Sequence, residues 1–412
     1  MRIIYPHPMV LPNKLAHSIQ IMHTCWELAS QGVMVDLMVK KVEKKSSKEC
    51  LKVYGLSEHK NLRIYGKRKR THRSIFFFKV LIKAWRHRND KNTIIFLRDK
   101  KLARLLNFFK YLIKIPCVFE SHGISYLVLK DKLIREKQIP LLDLCRKKIK
   151  IWKTYRLERY IYRKVDGIIC TTHGSKEVIH EKFSNSIPTQ IIYNATRMTA
   201  KKNIYNRKNI LYLGQLYPQK GVDVLIEALQ YLPQRKLIII GGNKKEDVER
   251  IQGLCEKLGD KDRVKITGYV EPWEIEKYFD QIGVGVIPIL DLIETRLFTS
   301  PLKIFDYMAA KIPIVASDLP SIRAVLTDGE TGILVEPDNP KKLAQGIERV
   351  LSDQNLAEKL SAQAYRKALD FTWSKRSQKL ISFLASIIDN KNSSLLRVTT
   401  APDKSKNGII NI

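Results

Sequence analysis

Short β-rich segments alternate with helical stretches along almost the whole chain of 412 residues. This alternation is the pattern of repeated βα units, whose strands pair in parallel sheets that helices cover on both faces. In chain order, the strand candidates are RIIY, MVDLMV, NLRIY, TIIFLR, CVFES, GIICTT, TQIIYN, NILYLG, KLIIIGG, RVKITGY, VGVIPI, IPIVAS and GILVEP. Helices such as Ile19–Ser30 and Val222–Tyr231 lie between many of them.

The chain is too long for one ordinary core and suits two domains of roughly 150 to 200 residues. The stretch NATRMTAKKNIYNRKN, which begins at residue 194, is polar and basic without an apolar period, so we expect the break at about residues 194–208. The pattern predicts two doubly wound α/β domains that face each other across a cleft at the carboxyl ends of their strands. The predicted divisions are a basic first domain at 1–195, a second domain at 196–370, a helix at 371–390 that packs back on the first domain, and a flexible tail at 391–412.

Charge is distributed unevenly. The formal net charge is +33, and residues 1–190 carry most of the excess of lysine and arginine. The hydrophobic content of 44% is that of a globular protein, not of a disordered one. The six cysteines form no CxxC pair and no zinc spacing, which favours a reduced, cytosolic compartment. The amino end has no signal-peptide core, and no apolar run approaches the ~20 residues that a membrane span requires.

Three stretches of the first half join a wide apolar face to cationic residues. They are residues 67–88, 100–114 and 146–164. In the first, Lys79, Lys83 and Arg86 have the spacing of one helical stripe. Such helices can lie on an anionic membrane surface, and an ordinary sheet-covering helix with a solvated basic face is the alternative. Nucleic-acid binding is disfavoured because no recognised nucleic-acid module accompanies the charge.

The segment SPLKIFDYMAA contains a predicted helix start. Ser300 is a suitable N-cap and Pro301 fits the first helical position. The amides of Leu302 and Lys303 would then point outward at the positive end of the helix dipole, which favours a phosphate. Asp306 follows in the first turns. A well-capped helix that binds nothing is the alternative.

A second candidate site is the loop in NILYLGQLYPQKGVDVLIEAL. A strand ends at Gly214, the loop carries Gln215 and Lys220, and a helix follows Gly221. Ligands of open α/β sheets bind at this edge, where a lysine can neutralise a diphosphate on a departing nucleotide. A solvated loop lysine is the alternative.

Two further loops follow strands in the first half. His122 lies in the turn after CVFE, where a histidine can contact a ligand hydroxyl or carbonyl, although a structural histidine is as plausible. The first βα loop, YPHPMVLPNKLAHSIQ, has no glycine, which argues against a dinucleotide-binding enzyme. Its Asn13, Lys14 and His17 can face the cleft, or the segment can be a plain loop.

The sequence resembles the retaining glycosyltransferases of GT-B fold, glycosyltransferase family 4, over roughly residues 1–385. The resemblance is strongest in LGQLYPQKGVDVLIEAL, KITGYVEPWEIEKYFDQIGVGVIPI and SPLKIFDYMAAKIPIVASDLPSIRAVLTDGETGILVEP. In the first half, FESHG and LERYIYRKVDGIICTTHGSKEVI match less closely, and IIYNATRM resembles the interdomain turn, with Ala195 in place of a glycine.

The resemblance implies transfer of a sugar from a nucleotide-sugar donor to an acceptor hydroxyl, with retention at the anomeric carbon. It implies that Lys220 contacts the donor phosphates, that His122 contacts the transferred sugar, and that no metal or other cofactor is needed. Taken together, the candidate donor-binding residues are Gln215, Lys220, Tyr269, Glu294, Thr299, Ser300, Leu302, Lys303 and Asp306, and the candidate acceptor-loop residues are Asn13, Lys14 and His17.

The chain departs from the family pattern at the residues expected to bind the donor. Gln215 stands where the family has an arginine. The two family glutamates fall on Phe298 and Asp306, so the first carboxylate is lost, and Glu294 and Thr299 are the candidates to replace it. Pro301 replaces a glycine before the phosphate-binding amides.

The resulting prediction is a cytoplasmic enzyme, peripheral on the inner face of the cell membrane. Its acceptor would be a glycan or a lipid-linked sugar in cell-surface polysaccharide or glycolipid synthesis, and residues 67–164 would contact anionic lipid. The alternatives are a sugar-nucleotide epimerase of the same fold and an inactive homologue that binds membrane or nucleic acid.

Overall fold

A computed structural model of the chain describes residues 1–13, 15–44, 46–67, 72–136, 138–198, 208–271 and 274–399, with side chains to residue 393. Lys14, most of the expected interdomain break and residues 400–412 lie outside the described residues.

The first eight strands form one sheet. They are β1 (Arg2–Pro6), β2 (Val10–Leu11), β3 (Met34–Val42), β4 (Leu62–Lys67), β5 (Thr93–Leu97), β6 (Cys117–Ser121), β7 (Gly167–Cys170) and β8 (Thr189–Ile191). The order is β2-β3-β1-β5-β6-β7-β8, β4 also pairs with β3, and the pairings are parallel. The helices between them are α1 (Ala16–Ser30), α2 (Ser47–Lys52), α3 (Arg73–Arg86), α4 (Lys100–Phe108), α5 (Lys110–Ile113), α6 (Ser125–Arg135), α7 (Leu141–Lys164) and α8 (His173–Lys182).

The other six strands form a second parallel sheet. They are β9 (Asn209–Leu213), β10 (Leu237–Ile240), β11 (Val264–Ile266), β12 (Ile282–Ile287), β13 (Ile314–Ser317) and β14 (Ile333–Val335). Their order, β11-β10-β9-β12-β13-β14, is the 3-2-1-4-5-6 order of a doubly wound nucleotide-binding sheet. The α-helices are α9 (Val222–Ala228), α10 (Lys245–Leu258), α11 (Glu276–Phe279), α12 (Leu302–Ala309), α13 (Pro320–Arg323), α14 (Pro340–Ser352), α15 (Gln354–Ala368) and α16 (Trp373–Thr399).

The second domain also contains short 3₁₀ and π-helical turns. Three are 3₁₀ turns, at Pro218–Lys220, Leu229–Tyr231 and Lys261–Arg263, and one is a π-helical turn at Glu294–Phe298. The predicted helix Val222–Tyr231 is therefore α9 followed by a 3₁₀ turn.

Each predicted strand is present, because a parallel strand that is buried on both faces reads as a continuous apolar run. The core strands β5, β6, β7, β10, β12 and β13 are buried throughout. Only the two-residue strand β2 lacked a sequence signal.

The last helix, α16, crosses back to the first domain. Leu380, Phe383 and Leu384 pack in one core cluster with residues of β1, β3 and α1. The helix continues to Thr399, nine residues beyond the predicted end at 390, and the flexibility of the tail stays a prediction. No helix in the described ranges combines the length and the apolar character that crossing a membrane requires.

Candidate active site

A cleft of about 780 Å³ lies between the two domains. His122 and Glu120, at the end of β6, line it from the first domain, and Glu294 and Phe298, in the π-helical turn after β12, line it from the second. The cleft therefore lies at the carboxyl ends of strands in both sheets, where open α/β sheets bind their ligands.

Two lysines, Lys220 and Lys303, interact electrostatically on the second-domain side. Lys303 places its ammonium 3.6 Å from the centre of the Tyr212 ring and beside Gly214. That ammonium is buried and has no hydrogen-bond partner among the described residues. Burial and the charge of Lys220 hold the pKa of Lys303 well below its usual value. An unpaired buried cation is costly unless an anion joins it, so an anion bound beside Lys303 would reduce that cost.

Lys220 ends the 3₁₀ turn that precedes α9. Burial lowers its pKa, and the nearby Glu294 opposes that shift. Gly221, at φ +68°, closes the turn against the Pro288 carbonyl, where any Cβ would collide. The backbone thus fixes Lys220 at the carboxyl edge of the sheet, as the loop sequence predicted.

The start of α12 differs from the prediction by one residue. Pro301 occupies the N-cap position, with no side-chain cap, and Leu302 and Lys303 are the first two helical residues. Ser300 is therefore not the N-cap: its hydroxyl is buried without a partner in the described part of the chain, and its carbonyl accepts a hydrogen bond of 2.7 Å from Asn194 Nδ2. The first amides of an α-helix have no partner within it, so those of Leu302 and Lys303 still form an anion-binding end.

Asp306, one turn further along α12, accepts a hydrogen bond of 2.7 Å from the Thr196 hydroxyl. Burial raises the pKa of Asp306 to about 6, and the Thr196 bond partly opposes the shift. Its expected contact with ribose stays a prediction, but the carboxylate already joins α12 to the segment that links the domains.

His122 lies in the cleft beside a buried ion-pair network. Its Nε2 is 3.3 Å from Glu120 Oε2. Burial and the charge of Arg98 lower the pKa of His122 to about 4, against the opposing effect of Glu120. The ring is therefore neutral near pH 7 and can exchange hydrogen bonds with a sugar hydroxyl without adding charge.

Asn13 and His17 were both predicted to face the cleft from the segment after β1. Only His17, in the first turn of α1, does so. His17 lines the cleft, with its ring centre 5.6 Å from that of His7, and burial and Arg98 lower its pKa. Asn13 is instead held within the loop, because its Nδ2 donates to the Val10 carbonyl and its Oδ1 accepts from the Leu15 amide.

Three donor candidates have contacts of their own. Gln215 Oε1 lies 3.4 Å from the Asn243 amide, and the Tyr269 hydroxyl donates to Glu271. Thr299 donates from its hydroxyl to the Glu294 carbonyl, at 3.1 Å. Of the two proposed replacements for the missing carboxylate, only Glu294 lines the cleft and interacts electrostatically with Lys220.

Phe298, which stands where the resemblance places an acid, is 4% exposed. It packs against Gly123, in the turn that carries His122, and a Cβ at Gly123 would lie 3.3 Å from the Phe298 Cβ. The side chain thus fills space between the domains and offers no group that hydrogen-bonds to a sugar.

Sequence reasoning missed three residues that line the cleft or contact its buried Glu120. Arg98 and Arg376 surround Glu120, and His7 lines the same cleft. The sequence did contain one signal, Glu120 at the end of the apolar strand CVFE. A buried carboxylate requires charged or hydrogen-bonding partners nearby. In the described ranges, no group of three or more His, Cys, Asp or Glu side chains is arranged to hold a metal ion, and the expectation of a metal-free site stays a prediction.

Solved structures share this architecture over almost the whole chain. Sucrose-phosphate synthase from Thermosynechococcus elongatus superimposes with a TM-score of 0.73 at 18% identity, covering 94% of this chain and 99% of the other. HepE from Anabaena, in complex with UDP-glucose, has a TM-score of 0.70 at 16% identity, with 94% and 100% covered. WaaG, a glycosyltransferase involved in lipopolysaccharide biosynthesis, gives 0.66 at 13% identity, with 93% and 99% covered.

The fold is GT-B. Within it, residues 194–367 match the family model described as "Glycosyl transferases group 1". The match begins at Asn194 and covers the second sheet, the two lysines and α12.

Curated relatives match parts of the GT-B chain. An uncharacterised glycosyltransferase of Methanocaldococcus jannaschii is 29% identical over 183 residues, 43% of this chain and 44% of the relative. Alpha-D-kanosaminyltransferase of Streptomyces kanamyceticus is 24% identical over 272 residues, 61% of this chain and 65% of the relative. D-inositol 3-phosphate glycosyltransferase of Xylanimonas cellulosilytica is 26% identical over 179 residues, 43% and 42%. The chain spans less than two thirds of the length of each.

Proposed function

We propose that the protein is a retaining glycosyltransferase of family 4, which moves a sugar from a nucleotide-sugar donor to a hydroxyl of a glycan or lipid-linked acceptor. The observation that carries the proposal is the unpartnered Lys303 ammonium beside Lys220, at the amino end of α12 and at the edge of a nucleotide-binding sheet. Two cations and free helix amides match the two phosphates of a nucleoside diphosphate.

The chemistry that fits this site is a front-face displacement. The acceptor hydroxyl attacks the anomeric carbon from the side on which the diphosphate leaves, so the new C–O bond forms as the bond to the phosphate oxygen breaks. The departing phosphate oxygen takes the proton of the hydroxyl. Lys220 and Lys303 stabilise the negative charge that develops on the leaving group, and they act where charge increases in the transition state.

The comparisons support a nucleotide-sugar donor without naming it for this chain. HepE was solved with UDP and with UDP-glucose, and the matched family model covers both lysines. We therefore place the donor on the second domain. His122 from the first domain and Glu294 from the second line the same cleft, and we propose that the sugar and the acceptor hydroxyl meet there.

Replacing Lys220 by alanine is expected to lower the affinity for the donor nucleotide at least tenfold, because a charged hydrogen bond to phosphate contributes about 1.5–3 kcal/mol. A thermal-shift panel of UDP, GDP, UDP-glucose, UDP-N-acetylglucosamine and GDP-mannose identifies the donor, since a ligand stabilises the folded state in proportion to its occupancy. The Lys220→Ala variant is then titrated with the nucleotide that stabilises the wild type most.

Lys257→Ala is the matched control, because Lys257 is exposed on α10 of the same domain. Equal nucleotide affinity in Lys220→Ala and the wild type would contradict the phosphate assignment. Conversion of the nucleotide sugar to an epimer, with no release of nucleotide when candidate acceptors are added, would favour the epimerase instead.

Helix α7 supports an anionic membrane surface as a partner. Leu141, Leu142, Ile149 and Trp152 are exposed, at 52–75% of their full area, and 100° per residue places them within one stripe about 100° wide. Towards the carboxyl end, the same stripe carries Arg156, Arg159 and Arg163. An apolar half followed by a cationic half suits insertion beside lipid headgroups.

A groove of about 1070 Å³ extends along this stripe between α4 and α7. Its charged lining residues are all cationic: Lys101, Arg104, Lys153, Arg156, Arg159, Arg163 and Lys164. The stripe predicted on α3 is interrupted, however, because Lys83 pairs with Asp36 at 2.9 Å inside the domain. Docking at the cytoplasmic face of the cell membrane stays a prediction.

Replacing both Leu141 and Leu142 by serine is expected to weaken binding to phosphatidylglycerol vesicles about tenfold, because each leucine loses part of its ~1.5 kcal/mol of burial in the bilayer. Flotation with vesicles of phosphatidylglycerol and of phosphatidylcholine alone measures the change. The control is Leu369→Ser, an exposed leucine of the second domain. Equal flotation of the variant and the wild type would contradict docking through α7.

A further inference from the structure

We infer that Arg376, from the carboxyl-terminal helix, is a positioning residue for the cleft histidine, and that α16 is therefore part of the acceptor side of the active site. The expected effect of Arg376 on turnover rests on the proposed function, whereas its effect on His122 does not. Arg376 donates from Nη2 to Glu120 Oε1, and Glu120 in turn contacts His122. Arg376 reaches no cleft surface itself and acts through Glu120.

The pair is sealed from water. Arg376 is 3% exposed and Glu120 is 2% exposed, although 256 residues separate them in the chain. The Nε and Nη1 atoms of Arg376 have no hydrogen-bond partner among the described residues. Among the described residues, the Arg376 guanidinium therefore hydrogen-bonds to the Glu120 carboxylate alone. Removing the guanidinium would leave the buried Glu120 anion with less compensating charge.

Three contacts fix the start of α16 where Arg376 can reach Glu120. The Trp373 ring stacks on His23 of α1 at a centroid distance of 5.3 Å. Gln31 donates from Nε2 to the Ser374 carbonyl at 3.0 Å, and the Thr372 hydroxyl accepts from the Lys375 amide. These contacts join the start of α16 to α1 of the first domain and so place the arginine beside Glu120.

The charges around Glu120 decide what His122 can do. Burial alone would raise the pKa of Glu120, but His122, Arg376 and Arg98 lower it below its usual range. Because His122 is neutral near pH 7, the permanent charges of the arginines keep Glu120 ionised. The ionised Glu120 carboxylate lies 3.3 Å from His122 Nε2, so its charge favours a proton on that nitrogen and orients the ring.

The test compares Arg376→Gln, Arg376→Lys and the wild type by histidine NMR, with the His122 signal assigned from its absence in His122→Asn. Arg376 lowers the pKa of His122, as do burial and Arg98. Arg376→Gln is therefore expected to raise that pKa, while Arg376→Lys keeps the charge and leaves it near the wild-type value. The other ionisable neighbours, unchanged in all variants, are His7, His17, Arg98, Glu120, Tyr5 and Cys25.

Turnover is measured with UDP-glucose, UDP-N-acetylglucosamine and GDP-mannose. For the one that the wild type uses, Arg376→Gln is expected to lower kcat at least tenfold and to leave KM for the donor within twofold. Lys375→Gln, whose lysine pairs with Asp370 on the surface, is the control and should change neither quantity.

An unchanged pKa of His122 in folded Arg376→Gln, or equal turnover by that variant and the wild type, would overturn the inference. If Arg376→Gln does not fold, the double variant Glu120→Gln/Arg376→Gln removes both charges of the pair. Wild-type turnover by the folded double variant would equally overturn it. A wild type that uses none of the three donors would contradict the proposed function, and the titration alone would then decide the inference.

Discussion

Replacing Lys303 by methionine is expected to stabilise the unliganded protein and to abolish its stabilisation by the donor nucleotide. The Lys303 ammonium is buried over the Tyr212 ring without a hydrogen-bond partner among the described residues. Methionine has a similar length and no charge, so the free energy of unfolding should rise by about 1–3 kcal/mol. The same change removes a phosphate contact, and nucleotide affinity should fall at least tenfold.

The lowered pKa of Lys303 also fixes the sign of a pH dependence. An unfolded lysine titrates at about 10.4, and the folded one titrates lower because of burial and Lys220. Between those values the unfolded chain binds more protons, so Lys303 destabilises the fold at low pH and this effect fades as the pH rises. In the Lys303→Met variant, this contribution to the pH dependence of the free energy of unfolding should be absent.

Thermal unfolding with and without the nucleotide, across a range of pH, measures both effects of the Lys303→Met change. Lys257→Met, at an exposed position of α10, controls for the loss of one positive charge. A Lys303→Met variant that is less stable than the wild type, yet binds the nucleotide equally well, would show that the ammonium is no anion-binding group.

Replacing Glu158 by glutamine is expected to lower the free energy of unfolding by about 3 kcal/mol, a fall on the order of 5–10 °C in Tm. Glu158 is fully buried in α7 and accepts hydrogen bonds from the amides of Ser125, at 2.7 Å, and Tyr126, at 3.1 Å. It also pairs with Lys100. Glutamine would leave Lys100 without its counter-charge and would weaken the cap of α6.

The consequence of the Glu158→Gln change extends to the cleft, because Lys100 also donates to the Gly123 carbonyl at 3.2 Å. Glu177→Gln, exposed on α8, is the matched control, and chemical denaturation monitored by fluorescence gives both free energies. If the two variants lost equal stability, the buried pair would make no net contribution to the fold. In the double variant Glu158→Gln/Lys100→Met, the losses should be less than additive, since the two residues interact directly.

The architecture was predictable from the sequence because its cause is local. Each buried parallel strand is an apolar run such as LIII in β10 or IVAS in β13, and the strand order follows from right-handed crossovers. The end of α16 was not predictable. The apolar residues that indicate this helix lie before residue 390, and the segment that continues it is polar.

The candidate site was predictable to the extent that each residue follows a strand or begins a helix. Lys220, Lys303 and His122 met that condition. The start of α12 was displaced by one residue because helix boundaries depend on the flanking contacts, here the bond from Asn194 to the Ser300 carbonyl. The pairing of Arg376 with Glu120 has no local signal, since it depends on how α16 crosses between domains.

The π-helical turn Glu294–Phe298 bridges the domains at two points. The Leu297 carbonyl accepts a hydrogen bond of 2.7 Å from the Thr172 hydroxyl, and Phe298 covers Gly123. Swinging the domains apart would expose the Phe298 side chain to water and break that bond, at an energetic cost. These two contacts therefore add an energetic cost to opening the cleft that does not depend on any bound ligand.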